Sequence, residues 1–417
     1  MSKPRNVFYA QSGGVTAVIN ATACGVIEAA RRNRRQFGTV YAGHNGILGA
    51  LHEELIDTSK LAATTLGKLR HTPGGAFGSC RYKIKAMPEG RADIERIVNV
   101  FRAHNIGYFF YNGGGDSQDT VHKVATASLD LGYPITCIGI PKTIDNDLPH
   151  TDCCPGFGSV AKYVAISTRE AALDVKSMAA TSTRAFVFEV MGRHAGWIAA
   201  AGGLAAARSG DAPHIILFPE IPFNSTRFLT AASAAINSKG YCVVVASEGV
   251  REDTGTFLAD SGAHDAFGHP QLGGVAPIIA QLIKDQLDVK THWAVADYLQ
   301  RSARHIASKV DVDQAYALGK AAVEFAADGH SAIMLTIIRR STRPYRWNIG
   351  TVPLLKVANQ ERKLPRRFIS KSGFNISSAC RQYLTPLIQG ESYPPFLNGV
   401  PDYVELKNRL IPKKCPK

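Results

Sequence analysis

The stretch Ile135-Thr136-Cys137-Ile138-Gly139-Ile140-Pro141-Lys142-Thr143-Ile144-Asp145-Asn146-Asp147 joins an apolar run to a loop that carries one lysine and two carboxylates. Residues 135–140 read as a buried strand, so the charged side chains fall at its carboxyl end, where open α/β sheets bind their ligands. Asp145 and Asp147 stand two residues apart, and neighbouring carboxylates tend to divide their work: one accepts a proton, the other holds metal or orients a group. A turn stabilised by Asx hydrogen bonds at Asp145 and Asn146 accounts for one carboxylate but gives Lys142 no purpose.

Outward from this loop, strand-like runs alternate with helical patterns. Residues 7–10 read as a strand before a helix over 16–32, and 108–111 as a strand before a helix over 117–131. This is the βα rhythm of a mostly parallel sheet. A second α/β unit begins near residue 155, with a helix over 159–178 and strands at 185–190, 215–218 and 242–246. Residues 253–274, rich in Gly, Asp and His, form an excursion. A helix over 275–286 and the segment 293–299 follow, then a helix over 311–327 and a strand at 332–338; prolines break up the tail from Lys356.

The 417 residues are 45% apolar and 20% charged, the balance of a globular protein. No run reaches the roughly 18 apolar residues of a membrane helix, and residues 1–6 lack a signal-peptide core, so the expected location is the cytoplasm. Eight scattered cysteines lack metal or disulfide spacing and read as reduced thiols. The net charge of +14 is split among short clusters such as 31–35 and 361–367, which read as solvated faces. No aromatic-basic module accompanies it, so nucleic acid is not an expected partner.

Two glycine turns share the placement of the opening loop. Gln11-Ser12-Gly13-Gly14 lies between the first strand and helix, where backbone N–H groups and a helix N-terminus attract an anion. Asn112-Gly113-Gly114-Gly115-Asp116-Ser117 repeats the arrangement, with Asp116 suited to metal-bound phosphate and Ser117 to capping the helix. Gly78-Ser79-Cys80-Arg81 and Met191-Gly192-Arg193 each end in an arginine beside glycine, a fork for phosphate oxygens. Arg184 and Arg301 are further candidates, and Glu248 is a carboxylate at another strand end. His269 and Gln271 lie in the excursion without convergent chemistry.

Together these segments resemble the phosphofructokinase family, and more closely its pyrophosphate-dependent members. The motifs are SGG at 12–14, GGGDS at 113–117, PKTIDND at 141–147, MGR at 191–193, SEG at 247–249 and YLQR at 298–301. The resemblance implies two similar three-layer α/β (Rossmann-like) domains with mostly parallel sheets and the active site in the cleft between them. Residues 1–155 with about 300–345 would bind the phosphoryl donor, and 156–299 with about 346–417 the sugar phosphate.

By the same resemblance Asp145 is the base acting on the C1 hydroxyl of fructose 6-phosphate, and Thr143, Ile144, Met191, Gly192 and Arg193 line the sugar-phosphate pocket. Glu248, Tyr298, Leu299, Gln300 and Arg301 close on the sugar and its phosphate, while Gly14, Arg81 and Lys142 hold pyrophosphate. Asp116 and Lys142 stand where ATP users typically carry glycines, and in the family that pair marks pyrophosphate users. Gly115 replaces a common magnesium-binding aspartate, which moves Mg²⁺ to Asp116 with Asp147. Arg184 reaches a neighbouring subunit's substrate in this family, which implies a homodimer or homotetramer. His292 stands in place of a second such arginine. Segment 268–274 imitates a motif of ATP users but has Leu272 where they have arginine.

The implied reaction converts fructose 6-phosphate and pyrophosphate into fructose 1,6-bisphosphate and phosphate, reversibly. The alternatives are an ATP-dependent sugar-phosphate kinase, an enzyme preferring sedoheptulose 7-phosphate, and a catalytically silent regulatory subunit.

Overall fold

The computed structural model describes residues 3–86, 88–264 and 270–415, with 260–264, 270 and 271 as backbone alone. The strands run β1 (Arg5–Gln11), β2 (Phe37–Gly43), β3 (Leu55–Asp57), β4 (Ile106–Gly113), β5 (Thr136–Pro141), β6 (Ala185–Val190), β7 (Ile215–Leu217) and β8 (Cys242–Ser247). Then come the short hairpin β9 (Asp260–His264) and β10 (Pro270–Leu272), followed by β11 (Thr291–Val295), β12 (Ile333–Thr342) and β13 (Tyr345–Pro353). One sheet has the order β13-β12-β5-β4-β1-β2-β3 and another the order β11-β6-β8-β7. The smaller sheet is parallel throughout. In the larger, antiparallel β3 and β13 border a parallel centre.

The mixed α/β class with mostly parallel sheets is as expected, and 135–140 is the buried β5, shifted by one residue. Several elements had no counterpart in the sequence reading: β2, β3 and the helices Arg91–Ala103 and Ser225–Lys239. Segment 293–299 divides into the end of β11 and the helix Asp297–Ser302. The passage to the second unit, expected near 346, falls inside the β12–β13 hairpin, whose pairing carries the larger sheet on to Pro353. Polar and apolar residues alternate along β13, so an edge strand covered on one face escapes a search for apolar runs.

Both sheets share one apolar core. Val7, Phe110 and Ile138 of the larger sheet and Phe188, Ile216 and Val245 of the smaller belong to the same buried cluster as Phe157, Val160 and Val164 of the helix Phe157–Met178. A second crossing returns the chain to the first unit. Helices Ile19–Arg32 and Lys309–Ala327 meet at Gly25 and Gly319, where added Cβ atoms would overlap the carbonyl oxygens of Tyr316 and Thr22. Gly319→Ala should therefore destabilise the fold by about 1–3 kcal/mol through overpacking. A thermal midpoint equal to that of the unaltered chain would show that these helices separate freely.

Among the described helices that start after a glycine, which has no side chain to cap them, three take the cap from carboxylates elsewhere in the chain. Asp311 accepts the Gly156 and Ser159 N–H groups at 2.9 Å each and the Ser159 hydroxyl at 2.6 Å. Glu220 accepts the Gly196 N–H at 2.9 Å, and Glu189 accepts that of Ala276 at 2.7 Å. Burial raises the pKa of each carboxyl, and these N–H bonds oppose the rise. The last two caps fix helices next to the cleft.

Candidate active site

The strand ends of both sheets open on one cavity of about 830 Å³. From the larger sheet, Lys142 follows β5 directly; its N–H donates to Gly113 O at 3.2 Å and its Nζ to Gly14 O at 2.8 Å. The two glycine turns and the opening loop are thereby bonded to one another. Gly13 has φ of +69°, a conformation that favours glycine. At Gly14 an added Cβ would lie 2.5 Å from Arg301 Nη1 and 3.8 Å from Arg81 Nη2, so the missing side chain lets two guanidinium groups approach the turn. Lys142, Arg81 and Arg301 therefore converge there. Burial lowers the Lys142 pKa to about 8; Arg301 and Arg81 push the same way, against Asp145 and Asp147.

Asp145 is fixed by Thr143, whose Oγ1 accepts the Asp145 N–H at 3.0 Å and lies 3.4 Å from its carboxylate. Burial raises the Asp145 pKa and Glu248 adds to it, while Lys142, Thr143 and Arg193 oppose. Asp147 is raised in the same direction by burial, then by Asp145 and Glu361. The turn between them needs Asn146 at φ +54°, a left-handed conformation that asparagine tolerates.

The smaller sheet supplies the opposite wall. Gly192, with φ of +129°, donates its N–H to Glu248 Oε1 at 3.1 Å, and Ser247 Oγ donates to Gly192 O at 2.6 Å. An added Cβ on Gly249 would overlap Arg193 O, so the MGR and SEG segments pack backbone to backbone. Burial raises the Glu248 pKa, against the Gly192 N–H and Arg193. Arg301 stacks 3.8 Å above the Tyr298 ring.

Most of the expected residues line this cavity: Gly14, Arg81, Asp116, Lys142, Thr143, Ile144, Asp145, Asp147, Met191, Arg193, Glu248, Tyr298 and Arg301. Four do not. Gly192 acts through its backbone on Glu248, and Gln300 is buried, accepting the Met191 N–H at 3.3 Å. Leu299 is 65% exposed. Arg184 precedes β6, at the opposite end from Met191, and donates to Gly240 O at 3.1 Å. Ser117 is not the helix cap: the helix Gly115–Asp130 begins after Gly114, and Ser117 Oγ donates to Ser12 Oγ at 2.7 Å, bonding the two glycine turns together. His269 and the side chain of Gln271 lie outside the described residues.

Sequence reasoning missed His194 and Glu361, which also line the cavity and approach within 3.0 Å, Nδ1 to Oε2. It also missed Lys83, whose Nζ lies 2.7 Å from Asp116 Oδ1. Lys83 sits in an irregular basic stretch with no periodicity to aim it, and Glu361 in a segment that reads as a solvated charge cluster.

Among the described residues no three His, Cys, Asp or Glu side chains converge as a ready-made metal cage. Magnesium commonly takes only one or two carboxylates and completes its shell with water and substrate phosphates. The half-buried Asp147, pressed by Asp145 and Glu361, fits such a site, because a cation would relieve that repulsion. Asp116, whose Oδ1 pairs with Lys83, would join it.

The chain matches the phosphofructokinase family over residues 6–326. It is 63% identical over 410 residues to a pyrophosphate–fructose 6-phosphate 1-phosphotransferase of Methylococcus capsulatus, covering 98% of each chain. It is 60% identical to the protein of that name from Halomonas elongata, over 99% of this chain and 98% of that one. The crystal structure of a pyrophosphate-dependent phosphofructokinase from Marinobacter aquaeolei superposes with a TM-score of 0.91 at 60% identity, covering 98% of both chains. Shared sequence, shared fold and a cleft between the strand ends of two parallel sheets lead to one assignment: this chain belongs to the phosphofructokinase family.

Proposed function

We propose that this chain transfers a phosphoryl group from pyrophosphate to the C1 hydroxyl of fructose 6-phosphate, giving fructose 1,6-bisphosphate and phosphate, in both directions. The observation that carries this reading is the convergence of Lys142, Arg81 and Arg301 on the Gly13–Gly14 turn. Three cations around one backbone turn form a seat for a compact polyanion, and the relatives of 60% identity and above are named for pyrophosphate.

Phosphoryl transfer asks little covalent chemistry of a protein; positioning and charge neutralisation do most of the work. Thr143, Met191 and Glu248 would orient the sugar so that its C1 hydroxyl faces Asp145. Asp145 takes the hydroxyl proton as the new P–O bond forms. Arg193 and Lys142 offset the charge on the phosphoryl in flight and on the departing phosphate, and Arg81 and Arg301 hold the donor. A magnesium ion, held by Asp147 and Asp116, would neutralise donor oxygens. Arg184, outside the cavity of its own chain, would serve a neighbouring subunit, so we read the enzyme as a homo-oligomer.

A coupled assay at one fructose 6-phosphate concentration should show turnover with pyrophosphate and none with ATP. The same preparation should cleave fructose 1,6-bisphosphate when phosphate is added, since exchanging one phosphoanhydride for a phosphate ester leaves the reaction near balance. Turnover with ATP alone, or a forward reaction with no reverse, would overturn the donor assignment.

A further inference from the structure

Behind the catalytic loop, on the side away from the cavity, a single arginine gathers three backbone carbonyls. Arg362 donates from Nη2 and Nε to Asn146 O at 2.8 and 3.2 Å, and from Nη1 to Thr151 O at 2.6 Å and Asp152 O at 3.1 Å. Its own N–H donates to Asp147 O at 2.6 Å. Its guanidinium lies 4.8 Å over the Trp197 ring, and its carbonyl accepts the Trp197 Nε1–H at 3.1 Å. The residue thus links the loop of the larger sheet to the helix Trp197–Gly202 that follows the MGR segment of the smaller.

What it grips is the conformation on which the site depends. Asn146 is the left-handed residue between Asp145 and Asp147, and its φ of +54° sets the direction of both carboxylates. The guanidinium holds that residue's carbonyl with two N–H groups, so rotation of the Asn146 peptide would break both bonds at once. An ammonium could not replace it, since a point charge cannot span Asn146 O and Thr151 O in one plane.

Granting Asp145 as the base, as proposed above, the geometry points to Arg362 as the positioning residue of the reaction, fixing the turn that aims Asp145 at the acceptor hydroxyl. Arg362 does not line the cavity, so it acts on turnover only through the loop. A base displaced by a fraction of an ångström to an ångström lowers the rate by up to about 100-fold.

The test compares Arg362→Met, Arg362→Lys and Asp145→Asn in the full-length chain, measuring kcat, both KM values and the thermal midpoint. Arg362→Lys keeps a cation against Trp197 and guards against a Met variant that fails to fold. The expected result is a kcat lowered about 10- to 100-fold in Arg362→Lys, with each KM moved by less than about threefold and a melting midpoint that falls but stays above the assay temperature. Full kcat in Arg362→Lys, or a rise in both KM values with kcat unchanged, would overturn the role. If Asp145→Asn keeps its activity, it is the reading of the base that fails; if Asp145→Asn is inactive while Arg362→Lys is unimpaired, the positioning role alone fails.

Discussion

The Asp145→Asn enzyme should turn over about 10²- to 10⁴-fold more slowly than the parent, in the pyrophosphate-driven direction and in the phosphate-driven one alike. The amide has the size of the carboxylate and can keep the Thr143 contact, so binding should survive while the proton acceptor is lost. The parent enzyme's pH profile carries the second half of this expectation. Burial and the facing Glu248 hold the Asp145 carboxyl above the usual carboxylate range, and the base works only when deprotonated. Activity is therefore present above that raised pKa and is lost as pH falls through it, at higher pH than an exposed aspartate would give. Asp147 contributes to the same limb, its carboxyl raised by burial and then by Asp145. Kinetics of both enzymes across the acidic range decide the matter: residual activity within about tenfold of the parent would remove Asp145 from the role of base.

Lys142→Met removes a different contribution. An ammonium aimed at developing phosphate charge is worth about 3 kcal/mol of barrier, or roughly 10²- to 10³-fold in kcat. The loss should appear with pyrophosphate at every sugar concentration. Burial lowers the amine's pKa to about 8, with Arg301 and Arg81 adding to the effect. The lysine acts when charged, so activity is full below that value and falls as pH rises through it. Lys142→Arg, whose guanidinium stays charged, should extend the profile to higher pH even where the longer fork lowers the maximum. An alkaline limb that stays near its original position in Lys142→Arg would assign the titration to another group and sink this account of Lys142.

Legibility followed the physics of each segment. The parallel centre of the larger sheet was visible because buried strands such as 136–141 are continuous apolar runs, and the cavity floor because strand ends present its residues locally. The edge strands were not: β3 is three residues long, and β13 spreads its pattern over two environments. Residues announced by glycine and charge within one motif, such as Lys142, Asp145 and Arg193, line one cavity. Ser117 misled because a serine near a helix start ordinarily caps it, and here the partner was Ser12, 105 residues away. Arg362 and Glu361 gave no warning, since a Glu-Arg-Lys run among prolines has the composition of a solvated surface, and only the tertiary fold turns one side chain to the cleft and the other to the back of the loop.

The borrowed helix caps bear on the order in which the chain is made. The helix Phe157–Met178 lies between the two sheets, yet the carboxylate that accepts its first amides belongs to residue 311. A nascent chain that has emerged through both halves of the cleft still lacks Asp311, and the buried N–H groups of Gly156 and Ser159 then have only water to bind. The central helix is thus secured late, by the same returning segment that brings β12 to the edge of β5. Any fragment ended before residue 311, however complete its motifs, carries this helix without its anchor.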